Sequence, residues 1–322
     1  MYLAHFNLRE APFSIAPDPA YLYLSPRHQE ALGHLLYGTG QHGGFVQLTG
    51  EVGTGKTTIV RTLLRQKLDD VEIAMVHNPR QSETEFVASI CDEFNVQYAR
   101  EPSPSLKTLI DALNAHLLET HAAGRRSVLI IDEAQNLAPE VLEQVRLLTN
   151  LETDKQKLLR IMLVGQPELV ELLGRNELRQ LASRITARFH LLPLSEHETR
   201  EYIIHRLNIA GGLPTLFSTA ATRAIHQRSR GIPRLINILC DRALLGAYAS
   251  NMHQVTPAIV RQAAGEVLGT PLPVSLHDRL RRLLPRVPLV WIEGVLACAA
   301  LIVAGLLLGR VFQSSPSNTA FS

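Results

Sequence analysis

The sequence predicts an α/β domain with a parallel sheet, followed by an all-helical domain and one transmembrane helix. Short apolar runs alternate with helical patterns across residues 45–194, as parallel strands covered by helices on both faces do. Beyond Leu194 only helical patterns continue, as far as Leu268. Residues 289–309 contain a single charged side chain, Glu293, and a helix of this length crosses the hydrocarbon core of a bilayer.

Composition and charge narrow the class of protein. A chain of 322 residues has room for two domains, and its formal net charge of +2 gives no field that favours nucleic acid or an acidic ligand. The three cysteines, Cys91, Cys240 and Cys298, lie far apart and form no CxxC pair, which indicates a reducing compartment. Residues 1–20 contain charges and prolines instead of an apolar signal-peptide core. We therefore expect the body of the protein in the cytoplasm.

An N-terminal extension, residues 1–44, precedes the sheet domain. Ser25 followed by Pro26 is typical of a helix N-cap with proline at the first helical position, and an apolar stripe follows it. The sheet domain itself is predicted over residues 45–194. Its predicted strands are 45–49, 71–76, 127–131, 159–164 and 189–194, and its predicted helices are 57–67, 83–94, 105–121 and 139–151.

The helical domain, residues 195–268, is predicted to contain four helices. Polar residues that favour N-cap positions precede three of them, namely Ser195, Ser218 and Thr256. The predicted bounds are 196–208, 219–229, 233–250 and 257–268.

The last part of the chain is predicted to comprise a basic, proline-rich linker at 269–288, the transmembrane helix at 289–309 and a short tail at 310–322. A cluster of arginines precedes the helix, whereas Arg310 alone follows it. The positive-inside rule therefore places the N-terminal body in the cytoplasm and the tail outside. We expect the cluster to contact anionic lipid. Its members are Arg279, Arg281, Arg282 and Arg286.

A phosphate-binding loop follows the first predicted strand. Residues 50–57 fit the pattern GxxxxGK[ST] and open an apolar-striped helix. The glycines let successive N–H groups point into one concavity, and the helix N-terminus adds its positive dipole. Lys56 supplies a charge for the β- and γ-phosphates, and the Thr57 hydroxyl supplies a ligand for Mg²⁺. The predicted nucleotide-binding residues are Gly50, Glu51, Val52, Gly53, Thr54, Gly55, Lys56, Thr57 and Thr58.

Two carboxylates end the third predicted strand, where parallel sheets place their ligands. We predict that Asp132 holds Mg²⁺ and that Glu133 orients or deprotonates the attacking water, because phosphoryl transfer depends mainly on positioning. Together with the phosphate loop, this pair predicts an ATP site with Mg²⁺. The histidines, His28 among them, show no metal-ligand spacing and are predicted to be ordinary surface or core residues.

The order of sheet domain, phosphate loop, acidic strand end and helical domain resembles the AAA+ ATPases. The resemblance implies that the helical domain is a lid and that Gln166, after the fourth core strand, senses the γ-phosphate. It also implies that an arginine near the end of the helix before the fifth strand completes a neighbouring subunit's site. Arg184 and Arg188 are the candidates, and Arg188, directly before Phe189, matches the family pattern better. Arg234, in a Gly-Ile-Pro-Arg run, resembles the second sensor, a lid residue that reaches the γ-phosphate.

Further motifs narrow the resemblance to the general secretion pathway protein A (ExeA) family. They lie at residues 1–6, 12–19, 23–28, 50–58, 132–137, 164–169 and 231–237. The resemblance implies a single-pass bacterial inner-membrane ATPase, with its ATPase domain in the cytoplasm and its tail in the periplasm. It implies a homo-oligomer, a dimer or a ring, that works with a membrane partner protein in Gram-negative type II secretion. Such proteins help the outer-membrane secretin assemble across the peptidoglycan.

Full-length relatives in that family carry a periplasmic peptidoglycan-binding domain beyond the membrane helix, whereas this sequence ends at Ser322. We therefore expect contact with peptidoglycan to be only indirect: either the chain is truncated or a partner protein supplies that function.

Other functions stay open at this point. A DNA-dependent ATPase of the transposition type shares the core, but the near-neutral charge and the membrane helix argue against a nucleic-acid partner. A nucleotide-gated scaffold needs no turnover, and intact Lys56, Asp132 and Glu133 argue against it. A pilus-biogenesis ATPase differs only in the machine it serves. Asn78 either holds Glu133 in an idle orientation, as polar residues of relatives do, or caps its own loop.

Overall fold

The computed structural model describes residues 1–16, 18–40, 44–77, 81–99, 104–154 and 156–269. The predicted transmembrane helix and tail, most of the predicted linker and Asn78 lie outside these ranges. Within them, no helix is both long enough and apolar enough to cross a bilayer.

The centre of the molecule is a sheet of five parallel strands in the order β2-β3-β4-β1-β5. The strands are β1 (Phe45–Gly50), β2 (Val71–Val76), β3 (Arg126–Ile131), β4 (Leu159–Gly165) and β5 (Ile185–Leu191). Strand β4 lies between β1 and β3, so that Leu48 pairs with Val164 and Ile131 with Leu163. The carboxyl ends of β1, β4 and β3 are therefore neighbours.

Strands β1 to β4 lie where the sequence predicts them, to within one residue at each end. The prediction of the fifth strand, at 189–194, was wrong, because β5 begins at Ile185 and ends at Leu191. β5 is an edge strand whose residues alternate between exposed and buried positions, so it lacks the continuous apolar run of the inner strands. Pro193, which has no backbone N–H, lies in the segment after it.

Helices cover both faces of the sheet. One face packs on α1 (Pro26–Thr39) and α2 (Lys56–Leu64), through side chains that include Leu35 and Ile59. The other face packs on five helices, two of which, α6 and α7, are short and were not predicted. These five are α3 (Glu83–Glu93), α4 (Leu106–Ala122), α5 (Pro139–Leu148), α6 (Glu168–Leu173) and α7 (Arg179–Ala182).

The predicted four-helix domain is present and forms a separate apolar core. Its helices are α8 (Glu196–Ile209), α9 (Thr219–Ser229), α10 (Pro233–Ala249) and α11 (Pro257–Leu268). Ser195 caps α8 in a capping box with Glu198, and Ser218 caps α9. Thr256 is the N-cap residue of α11, as predicted, although its side chain makes no capping hydrogen bond.

The N-terminal extension divides between the two cores. Its helix α1 packs on the sheet, whereas the segment before it packs into the helical domain with Phe6, Leu8 and Phe13 buried. The Phe13 ring meets Phe217 edge-on at 5.7 Å between centroids. Residues 1–21 are called the N-terminal segment here; the described part of it, 1–16 and 18–21, belongs structurally with the helical domain, or lid, although it is distant from the lid in sequence.

A buried arginine of α8 fixes this segment to the lid. Arg206 donates hydrogen bonds to the carbonyl oxygens of Pro12 and Ser14, and its guanidinium lies 4.7 Å from the centre of the Tyr21 ring. A guanidinium over an aromatic ring adds a cation–π attraction to these bonds. One lid residue thus holds the backbone of the N-terminal segment at two points, on either side of Phe13.

We expect Phe13→Ala to lower the free energy of unfolding by about 3–5 kcal/mol, because truncating a buried ring leaves a cavity. Urea denaturation followed by circular dichroism measures the change. Ile15→Ala is the control, since Ile15 is 63% exposed and its truncation should cost no more than about 0.5 kcal/mol. Equal effects of the two substitutions would contradict the packing of this segment on the lid.

Candidate nucleotide site

The predicted phosphate loop joins β1 to α2 and has the conformation that its glycines permit. Gly53 has a φ of +82°, and a Cβ there would lie 2.7 Å from the Cβ of Arg234. A side chain at this position would therefore meet both backbone strain and a close neighbour. Thr54 is buried and its hydroxyl donates to the Glu51 carbonyl oxygen at 2.8 Å, while Glu51, Val52 and Thr58 are exposed.

Lys56 begins α2 and its ammonium lies inside the loop. Nζ donates to the carbonyl oxygens of Gly50 at 2.7 Å and Glu51 at 3.0 Å. Burial lowers the pKa of this ammonium, and the charges of Glu133 and Asp132 oppose the shift. The phosphate loop and the two carboxylates after β3, which the sequence predicts to form one site, therefore interact electrostatically.

Thr57 and Asp132 come together as the prediction of a Mg²⁺ site requires. Thr57 Oγ1 donates to Asp132 Oδ2 at 3.4 Å. Burial raises the pKa of the Asp132 carboxyl, and hydrogen bonds from the Glu133 N–H and the Thr57 hydroxyl oppose this. A carboxylate and a hydroxyl are hard oxygen ligands of the kind that Mg²⁺ prefers. These residues fit the ion.

The site would leave most of the ion's coordination to other oxygens. In the described ranges, no cluster of three or more His, Cys, Asp or Glu side chains could hold a metal ion alone. Mg²⁺ usually keeps several waters and binds one or two protein groups together with substrate phosphates. The donor set therefore suits an ion that arrives with a nucleotide.

Glu133 follows β3 in a left-handed conformation, with φ of +53°. Its Oε2 accepts hydrogen bonds from Gln135 Nε2 at 2.6 Å and from Gln166 Nε2 at 3.1 Å. Burial alone would raise the pKa of this carboxyl, but the two amide hydrogen bonds and the Lys56 charge together lower it. The structure thus keeps Glu133 ionised beside the phosphate loop.

Gln166 lies at the end of β4 beside Glu133, where the AAA+ resemblance placed a sensing residue. Gln135 was not predicted from the sequence. Its Oε1 accepts from the backbone N–H of Gln166 at 3.0 Å, so that one amide touches both strand ends. The run Asp-Glu-Ala-Gln is part of a family motif, but no local sequence pattern predicts the direction of its glutamine side chain. Asn78, the other candidate for holding Glu133, lies outside the described residues.

The lid reaches the phosphate loop through the start of α10. The N–H of Arg234 donates to the Gly53 carbonyl oxygen at 3.3 Å, and the Arg234 side chain is exposed at the cleft. Gly231, with φ of +74°, lies so close to the Leu194 backbone that a Cβ would overlap it. The Gly-Ile-Pro-Arg run therefore places Arg234 by packing against the segment that links sheet and lid.

The cleft between loop and lid has a volume of about 470 Å³. Lys56, Thr57, Glu133 and Gln166 are among the residues that line it. The lining also includes aromatic and polar residues that were not predicted as site residues, because they come from segments that are far apart in sequence. They are Ser14, Tyr21, Tyr23, Tyr202 and Asn237.

His28 was predicted to be an ordinary histidine, yet it contacts the phosphate loop. It is 4% exposed, its Nε2 lies 3.0 Å from the Thr54 carbonyl oxygen and its Nδ1 lies 2.7 Å from Ser25 Oγ. Burial lowers the pKa of His28, although the Thr54 carbonyl and the charge of Glu198 oppose the shift. The neutral ring of His28 therefore connects α1 to the phosphate loop.

Arg184 and Arg188 do not line the cleft of their own chain. Because β5 begins at Ile185, Arg188 lies inside the strand, where it is exposed and donates to the Ala182 carbonyl oxygen. Arg184 lies in the turn between α7 and β5 and donates to Thr149 Oγ1. Arg184 is thus the candidate that lies near the end of the helix before the fifth strand, whereas Arg188, the better match to the family pattern, lies within that strand.

We expect the stability difference between wild type and His28→Gln to depend on pH. At about pH 7.5 the variant should be less stable, because it loses the ring contacts to Ser25 and Thr54. As the pH falls through about 6.5, His28 takes up a proton in the unfolded chain but not in the folded one, so the wild type loses stability that the variant keeps. Urea midpoints at several pH values measure this.

Gln29→Ala, at an exposed position of the same helix, is the control for that measurement; it changes no titratable group, so its difference from wild type should not vary with pH. A constant gap between wild type and His28→Gln from pH 7.5 to 5 would contradict a buried neutral His28.

Known proteins resemble the chain in sequence and in fold. Residues 39–173 match the family described as an AAA domain. Among solved structures, Cdc6p from Pyrobaculum aerophilum has a TM-score of 0.62 and 22% identity, over 80% of this chain and 70% of that chain. The ADP form of Aeropyrum pernix ORC2 has a TM-score of 0.57 and 18% identity, over 79% and 72% of the two chains. These likenesses establish an AAA-like α/β fold.

General secretion pathway protein A from Aeromonas hydrophila is 53% identical over 269 residues, which are 84% of this chain and 49% of that protein. The chain therefore spans about half the length of this curated relative. The resemblance predicted from the sequence is confirmed: over 84% of its length the chain is similar to General secretion pathway protein A, and it contains an AAA domain.

Proposed function

We propose that this chain binds Mg·ATP in the cleft between sheet and lid and hydrolyses it. The observation that carries the proposal is that Lys56, Thr57 and Glu133 line that cleft together, with Asp132 hydrogen-bonded to Thr57. These groups supply a cation for phosphate, two oxygen ligands for Mg²⁺ and an ionised carboxylate for the attacking water. Phosphoryl transfer to water uses groups in these roles.

Each residue has a separate role in this proposal. Lys56 exchanges its two carbonyl acceptors for β- and γ-phosphate oxygens. Thr57 and Asp132 hold Mg²⁺, which neutralises charge on the phosphates when it is bound. Glu133 orients the water and takes its proton, while Gln166 and Arg234 face the γ-phosphate from the sheet and the lid.

The proposal includes an assembly in which one subunit supplies an arginine to the next. Arg184 and Arg188 lie away from the cleft of their own chain, at the turn before β5 and on that edge strand, where a neighbouring subunit can approach. An arginine finger of this kind is worth about 10³–10⁵ in rate. A homo-oligomer, at least a dimer, follows from this step.

We further propose that the protein serves a type II secretion system in the bacterial inner membrane. The name of its relative, General secretion pathway protein A, supports this, together with the apolar run at 289–309. The ATPase domain would lie in the cytoplasm, the tail 310–322 in the periplasm and the basic linker 269–288 against anionic lipid. Its partner would be a membrane protein of the secretion complex, through which it promotes secretin assembly across peptidoglycan.

The test of hydrolysis uses the full chain in lipid nanodiscs, with phosphate release measured at several protein concentrations. Glu133→Gln should reduce kcat by about 10²–10⁴, the contribution of a general base, while ATP affinity changes little. Lys56→Ala should weaken ATP binding itself. A wild-type protein that binds ATP without turnover at any concentration would overturn the proposal in favour of a nucleotide-gated scaffold, and turnover only with added DNA would favour the transposition-type class.

A mixing experiment tests whether the arginine acts between subunits. Glu133→Gln subunits have an intact arginine, and Arg184→Ala or Arg188→Ala subunits have an intact base, so a mixture of two inactive variants should regain part of the wild-type rate. Arg175→Ala, an exposed arginine next to α6, is the control and should be active alone. If both finger variants keep wild-type activity, or neither mixture recovers, the intersubunit site is wrong.

A further inference from the structure

Gln135 forms a bridge between two strands at the candidate site. Its Nε2 donates to Glu133 Oε2 at 2.6 Å, and its Oε1 accepts from the backbone N–H of Gln166 at 3.0 Å. The same carboxylate oxygen also accepts from the Gln166 side chain at 3.1 Å. One side-chain amide therefore connects the residue after β3 with the residue after β4.

The backbone leaves this amide little freedom. Gln135 lies in the single 3₁₀ turn Ala134–Asn136, which follows the left-handed Glu133. A Cβ at Gly165 would lie 2.8 Å from Gln135 Oε1, so the absence of a side chain at Gly165 admits the amide to its position. Because the amide is held at both ends, it can hold Glu133 in turn.

Gln135 itself does not line the cleft, whereas Glu133 and Gln166 do. It cannot act on a nucleotide directly, so any effect on catalysis passes through these two residues. Both amides contact Oε2, which leaves Oε1 as the oxygen to accept a proton from water. A carboxylate fixed in this way presents one oxygen in a constant direction. The rate of a reaction between bound groups depends strongly on such positioning.

We propose that Gln135 is a positioning residue that locks Glu133 to the end of β4, so that the water-activating carboxylate and Gln166 keep one relative orientation. This inference rests on the proposed ATP hydrolysis and deepens it. The donor N–H groups orient the carboxylate, and the acceptor oxygen ties that orientation to the peptide of Gln166. A change that affects only the donor should therefore reduce turnover without weakening nucleotide binding.

Gln135→Glu separates these two parts of the amide. The variant keeps the shape and the oxygen that accepts from Gln166 N–H, but it replaces the donor to Glu133 with a second acceptor of like charge. We expect kcat to fall by about 10- to 100-fold, as for the loss of one oriented hydrogen-bond donor, while KM and the dissociation constant for ATP change less than about threefold. Gln135→Met, which removes both contacts, should lower kcat at least as far.

The matched control is Gln144→Glu. Gln144 also donates to a carboxylate, Glu83 Oε2 at 2.9 Å, but it lies on α5 away from the cleft. The control should keep wild-type kcat and KM. All variants are compared as full-length chains in nanodiscs, with circular dichroism and thermal midpoints to exclude unfolding.

Wild-type kcat in Gln135→Glu would overturn this inference alone, since hydrolysis itself would still be present. A rise in the ATP dissociation constant as large as the fall in kcat would also overturn it, because a residue that only stabilises the fold weakens binding and turnover together. A wild-type chain that binds ATP without hydrolysing it would instead overturn the proposed function on which the inference rests.

Discussion

The site depends on the position of β4 in the sheet. This strand lies between β1, which ends in the phosphate loop, and β3, which ends in Asp132 and Glu133. With parallel strands, all three carboxyl ends lie on one edge, so a cation, two carboxylates and the Gln166 amide meet without any long-range loop. Lys56 is buried at this edge, and the charges of Glu133 and Asp132 oppose the lowering of its pKa.

The second wall of the cleft comes from parts of the chain that are far apart in sequence. The N-terminal segment is buried in the lid core, and Arg206 holds its backbone, while α1, directly after it, packs on the sheet. His28 of α1 and Arg234 of the lid both contact the phosphate loop. The phosphate loop is therefore in contact with both α1 and the lid. A nucleotide that orders the loop would also affect the orientation of the lid.

Much of this arrangement could be predicted from local sequence, and the rest shows where local patterns fail. The phosphate loop and Asp132 depend on short motifs beside buried strands, and both lie where those motifs predict. The edge strand β5 was misplaced because one face is exposed and its apolar run is interrupted. The contacts of Gln135 and His28 depend on side-chain direction and tertiary packing, which neither hydrophobic periodicity nor residue spacing indicates.

We propose that one nucleotide contacts the sheet domain, the lid and the N-terminal segment, all of which line the cleft. Hydrogen exchange of the full chain with and without Mg·ATP tests it most directly, because exchange reports local opening peptide by peptide. The account predicts slower exchange on binding in the loop 50–58, at the start of α10 and across 12–23. Protection confined to the loop, or found nowhere, would contradict a site formed by the sheet domain and the lid together.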